Sequence, residues 1–212
     1  MKLYTYFRSS AAYRVRIALN LKEIIHTLVP VNLLKGEHTK APYTSKQAQG
    51  LVPCLETSDG RLLSQSGAIL QYLDALYPQQ PLMPTDSFES AQVRSMVDLI
   101  ACDIHPINNL RVLKYLAQNL DVNDTGKTAW YQHWVAKGFQ ALEGQLKAAP
   151  YSVGVNISLV DLYLVPQVYN ALRFKVDMQP YPNIEKVYKS CNQLSAFDAA
   201  KPENQIDFPK ES

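Results

Sequence analysis

The sequence predicts an α/β half followed by an all-α half. Alternating and helical patterns interleave over the first eighty residues. A stretch with three prolines and no apolar periodicity follows at 77–86, and helical spacing then runs almost to the end. The 212 residues are enough for one large domain or two small ones. Hydrophobic residues at 47% and charged residues at 19% suit a soluble globular protein. A net charge of +2, with lysines and arginines dispersed along the chain, argues against nucleic acid as a partner. No apolar run approaches the roughly 18 residues that span a bilayer, so no membrane partner is expected. The N-terminus enters a strand-like pattern at once, so no signal peptide is expected. Cys54, Cys102 and Cys191 are too sparse for a disulfide framework or a metal site, which fits a reducing, cytoplasmic location. His26, His38, His105 and His133 have no paired metal spacing either, and no metal is expected.

Lys2-Leu3-Tyr4-Thr5-Tyr6 alternates and reads as a strand over about 2–6. Val15, Ala18 and Leu19 recur at helical spacing in a helix over about 12–22. Thr27-Leu28-Val29-Pro30-Val31 is a second strand, and the polar segment 32–50 is irregular with room for a short helix. Leu51-Val52-Pro53-Cys54-Leu55-Glu56 is a third strand with a proline near its start. Asp59-Gly60 is a hairpin signal, and Arg61-Leu62-Leu63 pairs across it. Ala68, Ile69, Tyr72, Leu73 and Leu76 mark a helix with Ser66 as its N-cap. The order βαβ then ββα describes a thioredoxin-like N-terminal domain over 1–80. An all-helical C-terminal domain is expected over 87–212. Met96, Leu99 and Ile100 mark its first helix, Leu110, Leu113, Ala117 and Leu120 its second, and Val135, Phe139, Leu142 and Leu146 its third. Ser158-Leu159-Val160-Asp161 has capping-box spacing and opens a fourth; Asp161 reads as structural. Pro182 begins a last helix reaching about Leu194, and the polar tail from Ala199 is expected to wrap the surface.

Three places in the first half carry chemistry. Ser9 and Ser10 lie in a strand-to-helix turn, where hydroxyls and free N–H groups meet the positive end of a helix dipole. Such a turn is either a plain N-cap or an anion pocket able to hold a thiolate. Val52-Pro53 is either an ordinary trans proline at a strand end or a cis bond that turns the Val52 backbone toward a peptide-like ligand. Gln65-Ser66-Gly67 offers a second N-cap or a second anion pocket, suited to a carboxylate. A thiolate, a strand-like backbone and a carboxylate occur together in one small molecule, glutathione. Arg8, Arg111 and Arg173 form a second constellation: either solvated surface side chains or forks that would hold a dicarboxylate bidentately. His105-Pro106 interrupts the helical half, and His105 is either structural or a polar ligand at a cleft. Trp130 and Trp134, one turn apart, read as packing anchors.

Tyr6-Phe7-Arg8-Ser9-Ser10, Tyr13-Arg14-Val15-Arg16-Ile17-Ala18-Leu19, Val52-Pro53, Gln65-Ser66, Asp98-Leu99-Ile100 and the run from Leu164-Val165-Pro166-Gln167-Val168 to Arg173-Phe174-Lys175-Val176-Asp177 resemble the zeta class of glutathione transferases, the maleylacetoacetate isomerases. The resemblance covers essentially the whole chain. It implies the glutathione transferase fold, a homodimer, glutathione as cofactor and a small dicarboxylic acid as substrate. It implies that Ser9 supports the glutathione thiolate, with Ser10 beside it, and that Val52 pairs with the glutathione backbone. Gln65 and Ser66 would take the γ-glutamyl carboxylate end, and His38, His105 and Asn109 would make further polar contacts. Arg8, Arg111 and Arg173 would hold substrate carboxylates, so the implied catalytic set is Ser9, Ser10 and Arg173. One position departs from the class: Ala11 stands where a cysteine often follows the two serines. The enzyme therefore brings no thiol of its own there.

The implied reaction is cis–trans isomerisation of a C=C bond conjugated to a ketone, maleylacetoacetate to fumarylacetoacetate in tyrosine and phenylalanine catabolism. Glutathione thiolate adds, the resulting single bond rotates, and the thiolate is eliminated. A free thiol has a pKa of about 8.5, and lowering it by about two units needs roughly 2.7 kcal/mol. A helix N-terminus at roughly 0.3–2 kcal/mol and a charge-assisted hydrogen bond at roughly 1.5–3 kcal/mol can supply this. The alternatives are a maleylpyruvate isomerase, a general glutathione transferase that conjugates small electrophiles, and a non-catalytic binding module of the same fold.

Overall fold

The computed structural model describes residues 1–209. The chain divides into two compact units, Met1–Pro81 with Asn192–Ser212, and Leu82–Cys191. The helical half was expected to run to residue 212, whereas the segment from Asn192 clusters with the first unit.

In the first unit, β1 (Lys2–Thr5) lies between β2 (Thr27–Pro30) and β3 (Cys54–Glu56), and β4 (Leu62–Ser64) forms the outer edge, in the order β2-β1-β3-β4. β1 runs parallel to β2 and antiparallel to β3, and β4 is antiparallel to β3. The parallel pair requires a crossover, which α1 (Ser10–Leu21) provides. The alternation of β1 assigns its two faces. Leu3, opposite Leu55, is fully buried, as are Val15, Ile17 and Leu19 of α1 and Ile69, Leu70 and Leu73 of α3 (Ser66–Leu76). Tyr4, opposite Cys54, belongs to a second cluster with Tyr6, Phe7, Val31, Tyr43 and Val52. The buried Lys22 side chain at the end of α1 donates to Asp74 Oδ1 (2.9 Å), the Tyr77 carbonyl (2.7 Å) and the Gln80 carbonyl (2.8 Å), tying α1 to α3 and the segment after it. The irregular stretch contains a 3₁₀ turn (Glu37–Thr39) and a one-turn α2 (Ala41–Thr44).

The second unit holds α4 (Ser87–Asp98), α5 (Leu110–Asn119), α6 (Asp124–Glu143), α7 (Leu159–Arg173) and α8 (Pro182–Cys191). Its core includes Val93, Ile100, Val135, Phe139, Leu162, Val165 and Val187. The capping box at Ser158 and Asp161 forms as the spacing requires. Asp161 is 0% exposed, and its carboxylate accepts from the Ser152 amide (2.8 Å) and hydroxyl (2.7 Å) and from the Ser158 amide (2.7 Å) and hydroxyl (2.9 Å).

Several elements differ from expectation. The first helix begins at Ser10, two residues early, because Ser9 caps it. Residue 65, with φ +70°, caps α3, so Ser66 is its first helical residue and not its N-cap. The last helix is broken between α8 and α9 (Ser195–Ala200). The tail does not simply wrap the surface: Ala200, Pro202 and Gln205 are buried.

Candidate active site

Ser9 lies between β1 and α1 with an extended backbone, and its Oγ accepts the Ala12 amide at 3.2 Å. A β-region residue ahead of a helix leaves the first-turn N–H groups pointing outward, and α1 has no acidic residue in its first turn to neutralise them. Ser9 is half-buried and Ser10 buried. Arg8, on the same turn, is half-buried with its guanidinium 5.7 Å from the centroid of the Phe7 ring.

Ser66 begins α3, and Arg14 reaches it from α1, where Nη1 donates to the Ser66 Oγ at 3.3 Å. Arg14 is 3% exposed, so a guanidinium is buried behind the N-terminus of α3. Gln65 Nε2 donates to Gln49 Oε1 at 2.8 Å, joining the α3 turn to the loop that leads to Val52. That loop is itself held from inside. Gln47 Oε1 accepts the Leu51 amide (3.1 Å), and the Tyr43 hydroxyl donates to the Leu51 carbonyl (2.6 Å). Burial pushes the Tyr43 phenol up, which keeps it a donor. The Val52–Pro53 peptide is cis, and Val52 stands two residues before β3 begins to pair. Gly50 has φ +62°, and a Cβ there would lie 2.7 Å from the His38 carbonyl oxygen. This close approach sets the half-buried His38 beside the same loop.

In the second unit, α4 passes into a π-helical stretch (Leu99–Ile104) ending at His105, followed by a 3₁₀ turn (Pro106–Asn108). Pro106 cannot continue the helical hydrogen bonds, and the chain restarts as α5 with Asn109 as N-cap, its Oδ1 accepting the Arg111 amide at 2.9 Å. The bend is fixed from α6. A Cβ on Gly138 would lie 2.2 Å from the Ile104 Cδ1, so any larger residue there would have to displace the buried Ile104 side chain. The Trp130 indole N–H donates to the Ile107 carbonyl at 3.0 Å, and its ring stands 5.7 Å from that of Trp134. His105, Asn109 and Arg111 thus hang from one bend. Asn108, in the middle of it, is 5% exposed, and neither carboxamide atom has a hydrogen-bond partner among the described residues.

Arg173 ends α7 and is exposed. Its Nη1 donates to Asn170 Oδ1 at 2.9 Å, and its guanidinium lies 5.6 Å from the Phe174 ring centroid. Phe174 stacks on Tyr131 (3.7 Å, 6°), and Gln132 Nε2 donates to the carbonyls of Phe174 (2.8 Å) and Lys175 (3.2 Å). Burial pushes the Tyr131 phenol up to about 12, so it stays neutral at working pH.

The fold therefore gathers Arg8, Ser9 and Ser10 on one turn, links that helix to Ser66 through Arg14, and brings Gln65 and His38 to the Val52 loop. His105, Asn109 and Arg111 share a bend in the other unit, and Arg173 stands on a separate helix there. Arg14 behind Ser66, Gln49 on Gln65, the buried Asn108 and Asn170 on Arg173 have no counterpart among the residues singled out from the sequence. Arg14 had a signal: a charge at a position the periodicity of α1 would bury. Among the described residues, no group of three or more His, Cys, Asp or Glu is placed to hold a metal, and no helix is long and apolar enough to cross a membrane.

Family models for the glutathione S-transferase N-terminal domain and C-terminal domain match residues 3–81 and 132–195. The chain is 49% identical to a probable maleylacetoacetate isomerase of Vibrio cholerae, over 97% of each chain. Among solved structures it resembles a holo maleylpyruvate isomerase, a bacterial zeta-class glutathione S-transferase, with TM-score 0.95, 41% identity and 99% and 100% of the two chains covered. It also resembles a maleylacetoacetate isomerase of Methylobacterium extorquens solved with malonate and glutathione, with TM-score 0.94, 33% identity and 99% and 100% covered.

Proposed function

The chain belongs to the zeta class of the glutathione S-transferase family, and from that premise we propose that the Ser9 turn is the thiol end of its active site. The protein is a glutathione-dependent cis–trans isomerase. We assign maleylacetoacetate as its substrate, in the breakdown of tyrosine and phenylalanine.

One observation carries the site assignment. Both serine oxygens already accept a hydrogen bond from the protein, Ser9 from the Ala12 amide and Ser66 from Arg14. Accepting uses a lone pair and not the proton, so each hydroxyl can still donate to an anion. Ser9 adds this donation to the unneutralised N-terminus of α1, which suits a thiolate. Ser66 adds it to the N-terminus of α3 with a buried guanidinium behind, which suits a carboxylate. On this reading the two turns take the thiol and carboxylate ends of glutathione and the Val52 backbone, Gln65 and His38 lie along the peptide, and the family resemblance adds His105 and Asn109 as further polar contacts. When bound, glutathione supplies a thiolate that adds to the conjugated double bond, allows rotation and leaves again unconsumed.

The chain's own residues then have three tasks. Ser9 holds the sulfur in its charged form, with Ser10 beside it. Arg8, Arg111 and Arg173 pair with substrate carboxylates and fix the reacting carbon near sulfur. Ala11 offers no competing thiol. The Methylobacterium extorquens relative was solved with malonate and glutathione bound, which supports a site that takes a dicarboxylate as well as glutathione. A cytoplasmic homodimer is part of the same proposal, and sedimentation of the purified protein tests the pairing.

The test is turnover with substoichiometric glutathione. Many fumarylacetoacetate molecules formed per glutathione, with the thiol recovered, is the expected result. Thiol lost in step with substrate would replace the isomerase with a conjugating transferase, and no turnover of any electrophile would leave a binding module. The likeness to a maleylpyruvate isomerase favours one second reading, maleylpyruvate as substrate. A larger kcat/KM on that acid would select it.

A further inference from the structure

The register of β1 ends at Thr5, so the backbone of Tyr6 and Phe7 leads into the Ser9 turn beyond the sheet pairing. Buried polar backbone groups need partners, and here side chains supply them. The Ser9 amide closes the turn on the Tyr6 carbonyl at 3.0 Å. Arg16, 1% exposed on α1, donates from Nη1 to the Tyr6 carbonyl (3.3 Å) and Thr5 Oγ1 (3.1 Å), and from Nη2 to the Phe7 carbonyl (3.0 Å). Its Nε donates to the Ala200 carbonyl (3.1 Å), at the end of α9. The Phe7 amide donates to Asp207 Oδ2 at 2.9 Å, and the Phe208 ring meets that of Phe7 edge-on at 5.5 Å. Both backbone groups of Phe7 therefore end on charged side chains, one from α1 and one from the far end of the chain.

The returning segment is itself fastened. Asn20 Nδ2 donates to the Ala196 carbonyl (3.1 Å), and Gln205 Nε2 donates to the carbonyls of Ala199 (2.9 Å) and Lys201 (2.7 Å). Burial lowers the Arg16 pKa to about 10, which leaves it charged at neutral pH. The field of Asp207 acts in the opposite sense.

We propose that residues 195–208 are a strap that positions the catalytic turn, with Asp207 as a positioning residue acting on Ser9 through the Phe7 amide. Phe7 is two residues from Ser9, so a shift of its peptide moves the hydroxyl and the first N–H groups of α1 together. A bond to a carboxylate is about twice as strong as a neutral one. Misplacing a reacting group by about 1 Å costs on the order of a hundredfold in rate. The strap rests on the reading of the Ser9 turn as the thiol end of the site.

The experiment compares Asp207→Ala with Asp207→Asn, whose Oδ1 can still accept from the Phe7 amide. Three readouts are taken: hydrogen exchange of the Phe7 amide, the pKa of bound glutathione by thiolate absorbance, and kcat with KM for glutathione. In Asp207→Ala, the Phe7 amide should lose protection about tenfold, the bound thiol pKa should rise, and kcat should fall about tenfold with KM within about threefold. Asp207→Asn should keep Phe7 protection and stay within about twofold of the wild type in kcat. If Asp207→Ala does not fold, Phe208→Ala is expected to move the same readouts in the same direction by less. Unchanged Phe7 exchange together with an unchanged thiol pKa in a folded Asp207→Ala or Phe208→Ala protein overturns the strap. A wild-type protein that binds no glutathione overturns the active-site reading instead, and the Phe7 exchange result then decides the strap on its own.

Discussion

On the proposed reading, replacing Ser9 by alanine removes two roles carried by one oxygen, and they separate in size. As N-cap, Ser9 Oγ accepts the Ala12 amide at a rather long 3.2 Å, so the loss belongs in the lower part of the cap range, about 0.5–1 kcal/mol. In a chain of this length that lowers the melting midpoint by about 1–4 °C. As thiolate donor, the hydroxyl proton contributes about 1.5–3 kcal/mol, as for a hydrogen bond to a charged group. Its loss raises the bound thiol pKa by about 1–2 units and lowers the rate about 10–100-fold at neutral pH. Activity should not vanish, because the N-terminus of α1 keeps its positive end with no acidic residue in the first turn. The assay is thiolate absorbance against pH with bound glutathione, beside a thermal melt. Ser9→Thr should restore both properties. Ser9→Asp should keep the cap and the melting midpoint but fall below Ser9→Ala in activity, since it places a negative charge where the sulfur sits. A Ser9→Ala protein with a lowered melting midpoint and an unchanged thiol pKa would reduce Ser9 to a cap and refute the thiolate role.

Arg173→Ala should lower kcat/KM for a dicarboxylate at least about tenfold while leaving a neutral electrophile such as chlorodinitrobenzene within about twofold. Equal losses on both would remove the carboxylate role. Asp161→Ala orphans two buried backbone donors and an N-cap, and should cost about 3–5 kcal/mol in urea unfolding. A loss under about 1 kcal/mol would contradict the buried network. Glu56 accepts from Lys2 (2.8 Å) and Tyr4 (2.7 Å), which together hold its carboxyl below the usual range. A depressed folded pKa stabilises above the unfolded value of about 4.3 and is lost as pH falls through the folded value. Wild-type stability should therefore fall more steeply below about pH 4 than that of Glu56→Gln, and parallel curves would refute the coupling.

Most of the fold was legible because it rests on local periodicity. The alternation of β1, the Asp59-Gly60 hairpin and the capping box at Ser158 each declare themselves within a few residues. The boundaries that moved did so where a backbone angle decides. Gln65 at φ +70° takes the cap position from Ser66, and a residue in that region has no side-chain signature short of glycine. The break between α8 and α9 was equally hidden, since Asn192-Gln193-Leu194 contains neither proline nor glycine.

The sequence by itself determined the order of elements, the two serine turns and the chemical types at the site, because a turn, a hydroxyl and a helix start are neighbours along the chain. Only the tertiary structure decided what stands behind them: Arg14 on Ser66, Gln49 on Gln65, Gly138 opening a seat for Ile104, and Asp207 on the Phe7 amide. Those pairs are separated by 16 to 200 residues. A hydrogen bond depends on distance and angle in space, and periodicity records neither for groups that meet only after the chain has closed on itself.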